Sequence, residues 1–179
     1  MCEAYPSQAA RTTALLVIDV QQGLFGRSTP IYKAGDFLAN INALVDRAHE
    51  AGAPVIFVKH SDPRILPYGT PAWELHPALH LEEGDVVVEK THGNAFEETP
   101  LDRELRDRGA TAVVVTGLVT HGCVLATSVG ARACGYGVTL ASDGHSSFSK
   151  DAAAKIAEWN AKLAATGMGV KPAAEIAFG

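Results

Sequence analysis

The sequence predicts an α/β protein in which a parallel sheet is covered by helices on both faces. Two observations carry that prediction. Short runs rich in Val, Ile and Leu are apolar throughout instead of alternating with polar residues, the pattern of strands buried on both sides. These runs also alternate with helix-spaced segments, as a parallel sheet with crossover helices requires.

Residues 14–19, ALLVID, form the first strand and end on a carboxylate. Phe37, Leu38, Ile41, Leu44, Val45 and Ala48 follow at helical spacing, and Gly52 supplies the stop. Residues 54–59, PVIFVK, are a second strand. Between 61 and 84 regular signals are sparse, and Pro63, Pro67, Pro71 and Pro77 break any helix. Residues 85–90, DVVVEK, are the third strand and end on a lysine. A short helix over 99–108 precedes the fourth strand at 111–117. Small residues dominate a predicted helix at 121–134, which leads to a fifth strand at 137–142. A helix near 150–165 carries Ile156, Trp159 and Leu163 at helical spacing, and 169–178 can form a sixth strand. Without repeats or linkers, residues 1–179 read as one domain.

A chain of 179 residues can bury a substantial core. Hydrophobic residues at 47% and charged residues at 20% match an ordinary globular protein. A net charge of −5 without basic stripes argues against nucleic acid as a partner. No apolar run reaches the roughly 20 residues of a membrane span. The polar N-terminal segment has no apolar signal region, so a cytoplasmic location is expected. Cys2, Cys123 and Cys134 form no CxxC pair, so no structural zinc site is expected.

Ligands of open parallel sheets bind beyond the carboxyl ends of the strands. Asp19 closes the first strand, Lys90 the third, and Cys123 follows the fourth. Cys123 also begins a predicted helix, whose N-terminus, with a nearby ammonium, favours a thiolate. Asp19 could take the thiol proton as base. Backbone N–H groups of the 117–123 turn could hold an oxyanion. Position alone leaves plainer readings open: a capping Asp, a solvated Lys and a packed Cys.

Residues 16–25, LVIDVQQGLF, resemble the opening strand and loop of the isochorismatase-like cysteine hydrolases. Residues 89–96, EKTHGNAF, resemble their lysine motif. Residues 117–124, GLVTHGCV, with Thr127, Ala131 and 135–140, GYGVTL, resemble their nucleophile segment. The similarity runs from about residue 13 to the end of the chain. It implies a Rossmann-like three-layer α/β/α sandwich around a six-stranded parallel sheet. It also implies an Asp19–Lys90–Cys123 triad that cleaves a C–N bond of a small non-peptide amide, lactam or carbamoyl compound through a covalent Cys123 intermediate. A non-proline cis peptide at Leu118–Val119 is implied too, with the N–H groups of Val119 and Cys123 as oxyanion donors. Relatives are commonly dimers or larger, so self-association is expected, with a small molecule as the other partner.

Members that cleave the vinyl ether of isochorismate usually lack the cysteine, so Cys123 counts against that reaction. Nicotinamidases carry an Asp-x-His metal motif after the second strand. Here residues 59–62 read KHSD, and the order does not match. His60, Asp62, His76 and His80 are therefore read as surface or loop residues, and neither metal nor cofactor is expected. A metal-dependent nicotinamidase-like amidase and a silent binding protein on the same scaffold are the alternatives. Residues 69–79, GTPAWELHPAL, and 142–148, SDGHSSF, with Trp159 and Asn160, resemble the streptothricin-hydrolase-like branch. That branch's usual Thr-Glu-aromatic-Cys is replaced here by Thr120-His121-Gly122-Cys123. Gln21, Leu24, Phe25, Trp73, Phe96 and His121 are the candidate pocket wall. His145 is read as a turn residue, and Cys134, in a helix body, as inert.

Overall fold

Six parallel strands form one sheet in the order β3-β2-β1-β4-β5-β6 in a computed structural model that describes residues 12–179. The strands are β1 Thr12–Ile18, β2 Val55–His60, β3 Val86–Lys90, β4 Ala110–Leu118, β5 Gly137–Ser146 and β6 Gly169–Lys171. Between them lie helices α1 Gln22–Phe25, α2 Ala34–Glu50, α3 Leu101–Asp107, α4 Leu125–Ala133 and α5 Ala152–Ala165. A π-type turn spans Thr120–Val124, and a 3-10 turn spans Ala173–Glu175. Cys2 falls outside the described residues. No helix among them is long and apolar enough to cross a membrane.

Strand β1 explains the layers. Its successive side chains point to opposite faces. Leu15 and Val17 pack with Phe37, Ile41, Leu44 and Val45 of α2. Ala14, Leu16 and Ile18 pack with Leu101 and Leu105 of α3, Ala131 of α4 and Leu163 of α5. Both faces of the strand are therefore dry, which is why its sequence is an unbroken apolar run. The predicted three-layer α/β/α sandwich is the observed architecture.

The strand order reverses between β1 and β4, which places a crevice beyond their carboxyl ends. Differences from the predicted elements concentrate at those ends. Strand β2 runs to His60 and not Lys59, and β5 runs to Ser146 and not Ser142. The regular helix after β4 begins at Leu125 and not 121, because Gly122, at φ −118° and ψ −113°, kinks the chain. The sixth strand stops at Lys171, since Pro172 has no N–H to continue a ladder.

The loop of residues 61–84 is tied to the site end of β1. Gln21 is fully buried; its amide donates to the carbonyls of His60 (2.9 Å) and Trp73 (2.7 Å), and its carbonyl accepts the His60 N–H (2.8 Å). The His76 N–H bonds the Val20 carbonyl, and the Gly23 N–H bonds that of Ala72. Lys59 lays its ammonium 3.1 Å from the Trp73 ring centroid and pairs with Glu74 at 2.9 Å, while the Trp73 indole donates to Ser61 Oγ.

Two stability measurements follow. Gly117 sits at φ +115°, and a Cβ there would lie 2.0 Å from the Ile18 carbonyl oxygen. Gly117→Ala should lower the unfolding free energy by about 3 kcal/mol or more in denaturant titration; an unchanged midpoint would refute the close approach. Gln21→Leu strands one buried carbonyl, one part-buried carbonyl and one part-buried N–H. It should cost about 2–3 kcal/mol in the same assay, whereas a side chain serving only a pocket would leave stability intact.

Candidate active site

Asp19 follows β1 at φ +54°, a left-handed conformation that Asp tolerates better than most residues. Its side chain is turned into the crevice and buried, with the residue 3% exposed. Lys90 ends β3, and its register partner is His60, the last residue of β2. Register partners on parallel strands project from the same face, so the two side chains rise together. Lys90 Nζ lies 2.9 Å from Asp19 Oδ2, 3.0 Å from His60 Nδ1 and 3.3 Å from Cys123 Sγ. Its side chain is fully buried, and an ammonium has three hydrogens for these three partners.

Cys123 occupies the π-type turn, two residues before α4. A Cβ on Gly122 would lie 2.9 Å from Val119 Cγ2, so the turn is closely packed at that point. The Leu118–Val119 peptide is cis. Thr120 Oγ1 pairs with His145 Nδ1 at 2.8 Å, and His145 Nε2 with Asn160 Oδ1 at 2.9 Å. His145 is thus a buried strand residue tying the turn to α5, and not the turn residue predicted.

Burial pushes the Asp19 carboxyl up, against the lowering influence of the Lys90 ammonium, the Cys123 thiol and His60. Among the described residues its Oδ1 is buried without a hydrogen-bond partner. Burial also pushes the Cys123 thiol up to about 12; the Asp19 charge adds to this and Lys90 opposes it. The thiolate predicted for the resting protein is therefore replaced by a thiol. The helix start expected to favour it begins two residues later, and desolvation outweighs the ammonium. Burial and the Lys90 charge hold the His60 imidazole below the usual histidine range, hence neutral.

A cavity of about 160 Å³ opens above Sγ. Leu24, Ile65, Leu66, Leu118, Val119 and Phe148 form its apolar wall, and Asp19, His60, Asp62 and Cys123 its polar part. Of the side chains predicted to line it, Leu24 does. Gln21 instead spends its amide on the loop backbone, and Trp73 is a 6% exposed anchor under Lys59. Phe25 stacks on His76 at 4.2 Å, and Phe96 lies 5.8 Å from Tyr136 on the other core. His121 is exposed on the turn, outside the wall. Cys134 caps the far end of α4.

His60 is the residue sequence reasoning misses. Ending the strand at Lys59 makes it a loop histidine, whereas pairing Lys90 with the last residue of β2 would have found it. Ile65 and Leu66, from the irregular loop, gave no periodic signal.

Among the described residues, Asp19, His60 and Cys123 form a cluster whose ligand atoms lie within 4.8 Å of one another. The Lys90 ammonium already bonds all three, and its charge disfavours a second cation there. Asp62, His76 and His80 are engaged with other groups. Asp62 accepts the N–H groups of Arg64 and Ile65, His76 stacks on Phe25, and His80 pairs with Asp46.

Comparison with known proteins agrees with this fold. The Isochorismatase domain model matches residues 13–169. A streptothricin hydrolase from Streptomyces noursei is 34% identical over 148 residues, covering 81% of this chain and 58% of that protein. A ureidoacrylate amidohydrolase from Methylobacterium radiotolerans is 30% identical over 65% of this chain and 60% of its own length. The chain thus spans about six-tenths of these curated relatives. A crystal structure of a cysteine hydrolase from Pseudomonas syringae pv. phaseolicola superposes with a TM-score of 0.84 at 25% identity, covering 92% of this chain and 90% of that one. On its sheet order, its ordered motifs and these matches, the chain belongs to the isochorismatase-like cysteine hydrolase family.

Proposed function

We propose that the protein hydrolyses a C–N bond of a small amide, lactam or carbamoyl compound through an acyl intermediate on Cys123. One observation carries the reading. Among the described residues a buried carboxylate oxygen, Asp19 Oδ1, has no hydrogen-bond partner, and the Lys90 ammonium joins that carboxylate to the Cys123 thiol. The names of two relatives, a hydrolase of streptothricin and an amidohydrolase of ureidoacrylate, describe chemistry of the same class.

Asp19 takes the thiol proton as Sγ attacks the substrate carbonyl carbon. Lys90 stabilises the sulfur as its charge develops. The N–H groups of Val119 and Cys123, two residues that line the cavity, receive the oxyanion. Collapse breaks the C–N bond, and Asp19 returns its proton to the leaving nitrogen. The ionised carboxylate then takes a proton from water as its oxygen attacks the acyl carbon. Collapse of that second tetrahedral adduct breaks the C–S bond, and the proton held by Asp19 restores the thiol.

The cavity limits the substrate. Its 160 Å³ is roughly five water volumes. Among the described residues the wall is apolar, with two carboxylates and no cationic side chain. A compact, uncharged acyl group fits these surroundings better than a bulky or anionic one.

A panel of amides, lactams and ureido compounds, assayed by ammonia or amine release, tests the proposal. Turnover is expected for compact neutral members. Cys123→Ala should reduce it about a thousandfold or more, and Asp19→Asn about a hundredfold or more, with unchanged circular dichroism. Turnover retained by Cys123→Ala would overturn the reading. The pH profile gives a second check. The base form of Asp19 is lost as pH falls through its raised pKa. The acidic limb of kcat/KM should therefore lie above the roughly 3.9 of an ordinary aspartate, and a limb at or below that value would remove Asp19 from the role.

A further inference from the structure

We propose that His60 is a positioning residue of the site, holding the Lys90 ammonium in the orientation that points one N–H at Cys123 Sγ. The proposal rests on the reading of Cys123 as the nucleophile and names the group that keeps its cationic partner in place.

Lys90 has three N–H groups, and the described residues offer its nitrogen three acceptors: Asp19 Oδ2, His60 Nδ1 and Cys123 Sγ. Its side chain is fully buried, so bulk water does not replace a lost acceptor. Three directions fix an ammonium, whereas two leave it free to rock about the remaining pair. His60 Nδ1 accepts only when unprotonated, which places the imidazole proton on Nε2.

The surroundings hold the ring in that state. Lys90 faces it from β3, Asp19 from the end of β1, Asp62 from the loop after β2 and Cys123 from the turn after β4. A second proton on the ring would stand 3.0 Å from an ammonium. Burial and the Lys90 charge oppose it more strongly than the two carboxylates favour it. The backbone of His92 favours the protonated ring too, and it is outweighed in the same way.

Placement of the ring is also built in. His60 and Lys90 are register partners on β2 and β3. The buried Gln21 grips both the N–H and the carbonyl of His60, fixing its backbone from the β1 side. A histidine left free at a strand end would need none of this.

The rate of iodoacetamide alkylation at Cys123, followed by peptide mass spectrometry, tests the idea without a known substrate. It is measured in the wild type, His60→Asn, His60→Leu, Lys90→Met and the Lys90→Met/His60→Leu double variant. Asn Oδ1 can accept near the position of Nδ1, while Leu fills similar space without an acceptor. His60→Leu should slow alkylation about 10-fold or more, the worth of a charge-assisted hydrogen bond. His60→Asn should stay within about threefold of wild type, and His60→Leu should add nothing in the Lys90→Met background. Thermal midpoints identify variants that fold, and His60→Ala replaces a Leu variant that does not.

Three results would each overturn the proposal: His60→Leu within threefold of wild type, His60→Asn as slow as His60→Leu, or equal slowing with and without Lys90. Ammonia release tests the hydrolase reading separately. A chain that hydrolyses no amide but shows the expected alkylation pattern retains this role for His60. A chain that hydrolyses amides without the pattern loses only this role.

Discussion

A buried ammonium must spend its hydrogens on the protein around it, and Lys90 spends them on a carboxylate, an imidazole and a thiol. An unpaired charge at that depth would cost several kcal/mol, so partners and cation constrain one another strongly. The Lys90 ammonium draws the Asp19 carboxyl down, while burial, the larger influence, drives it upward. The same burial holds Cys123 as a thiol. The resting site is therefore poised rather than charged for attack. In the proposed reaction the thiol proton moves to Asp19 only as the sulfur commits to a carbonyl.

The sheet makes this cluster possible. Strands β1 and β4 are neighbours at the reversal of strand order, and β2 and β3 extend from the far side of β1. Each contributes its terminal residue or the turn just beyond it. Gly117 lets β4 press against the backbone of Ile18, which brings the cysteine turn over Asp19. Gln21, Trp73 and Lys59 then bind the irregular loop, whose Ile65 and Leu66 close the cavity. Residues far from the thiol thus decide how close the four polar side chains come.

Much of this was legible in the sequence. Both-face burial gave continuous apolar runs, and residues at their ends pointed to one rim, so Asp19, Lys90 and Cys123 could be grouped before any coordinates. Three features were not legible. The register of β2 against β3 depends on where β2 stops, and one residue separates a loop histidine from a partner of Lys90. The charge state of Cys123 depends on desolvation, which spacing does not encode. The cavity wall draws on a loop without periodicity. Aromatic residues therefore looked like wall candidates when Trp73 and Phe96 were committed to anchoring and core packing.

The most direct test of the central claim is to quench turnover of a hydrolysed amide with acid and weigh the Cys123 peptide. The account predicts that this peptide gains the mass of the acyl group in the wild type, and that the adduct disappears in Cys123→Ala. Amine release by the wild type, quenched during the first turnover with Cys123 unmodified, would contradict it.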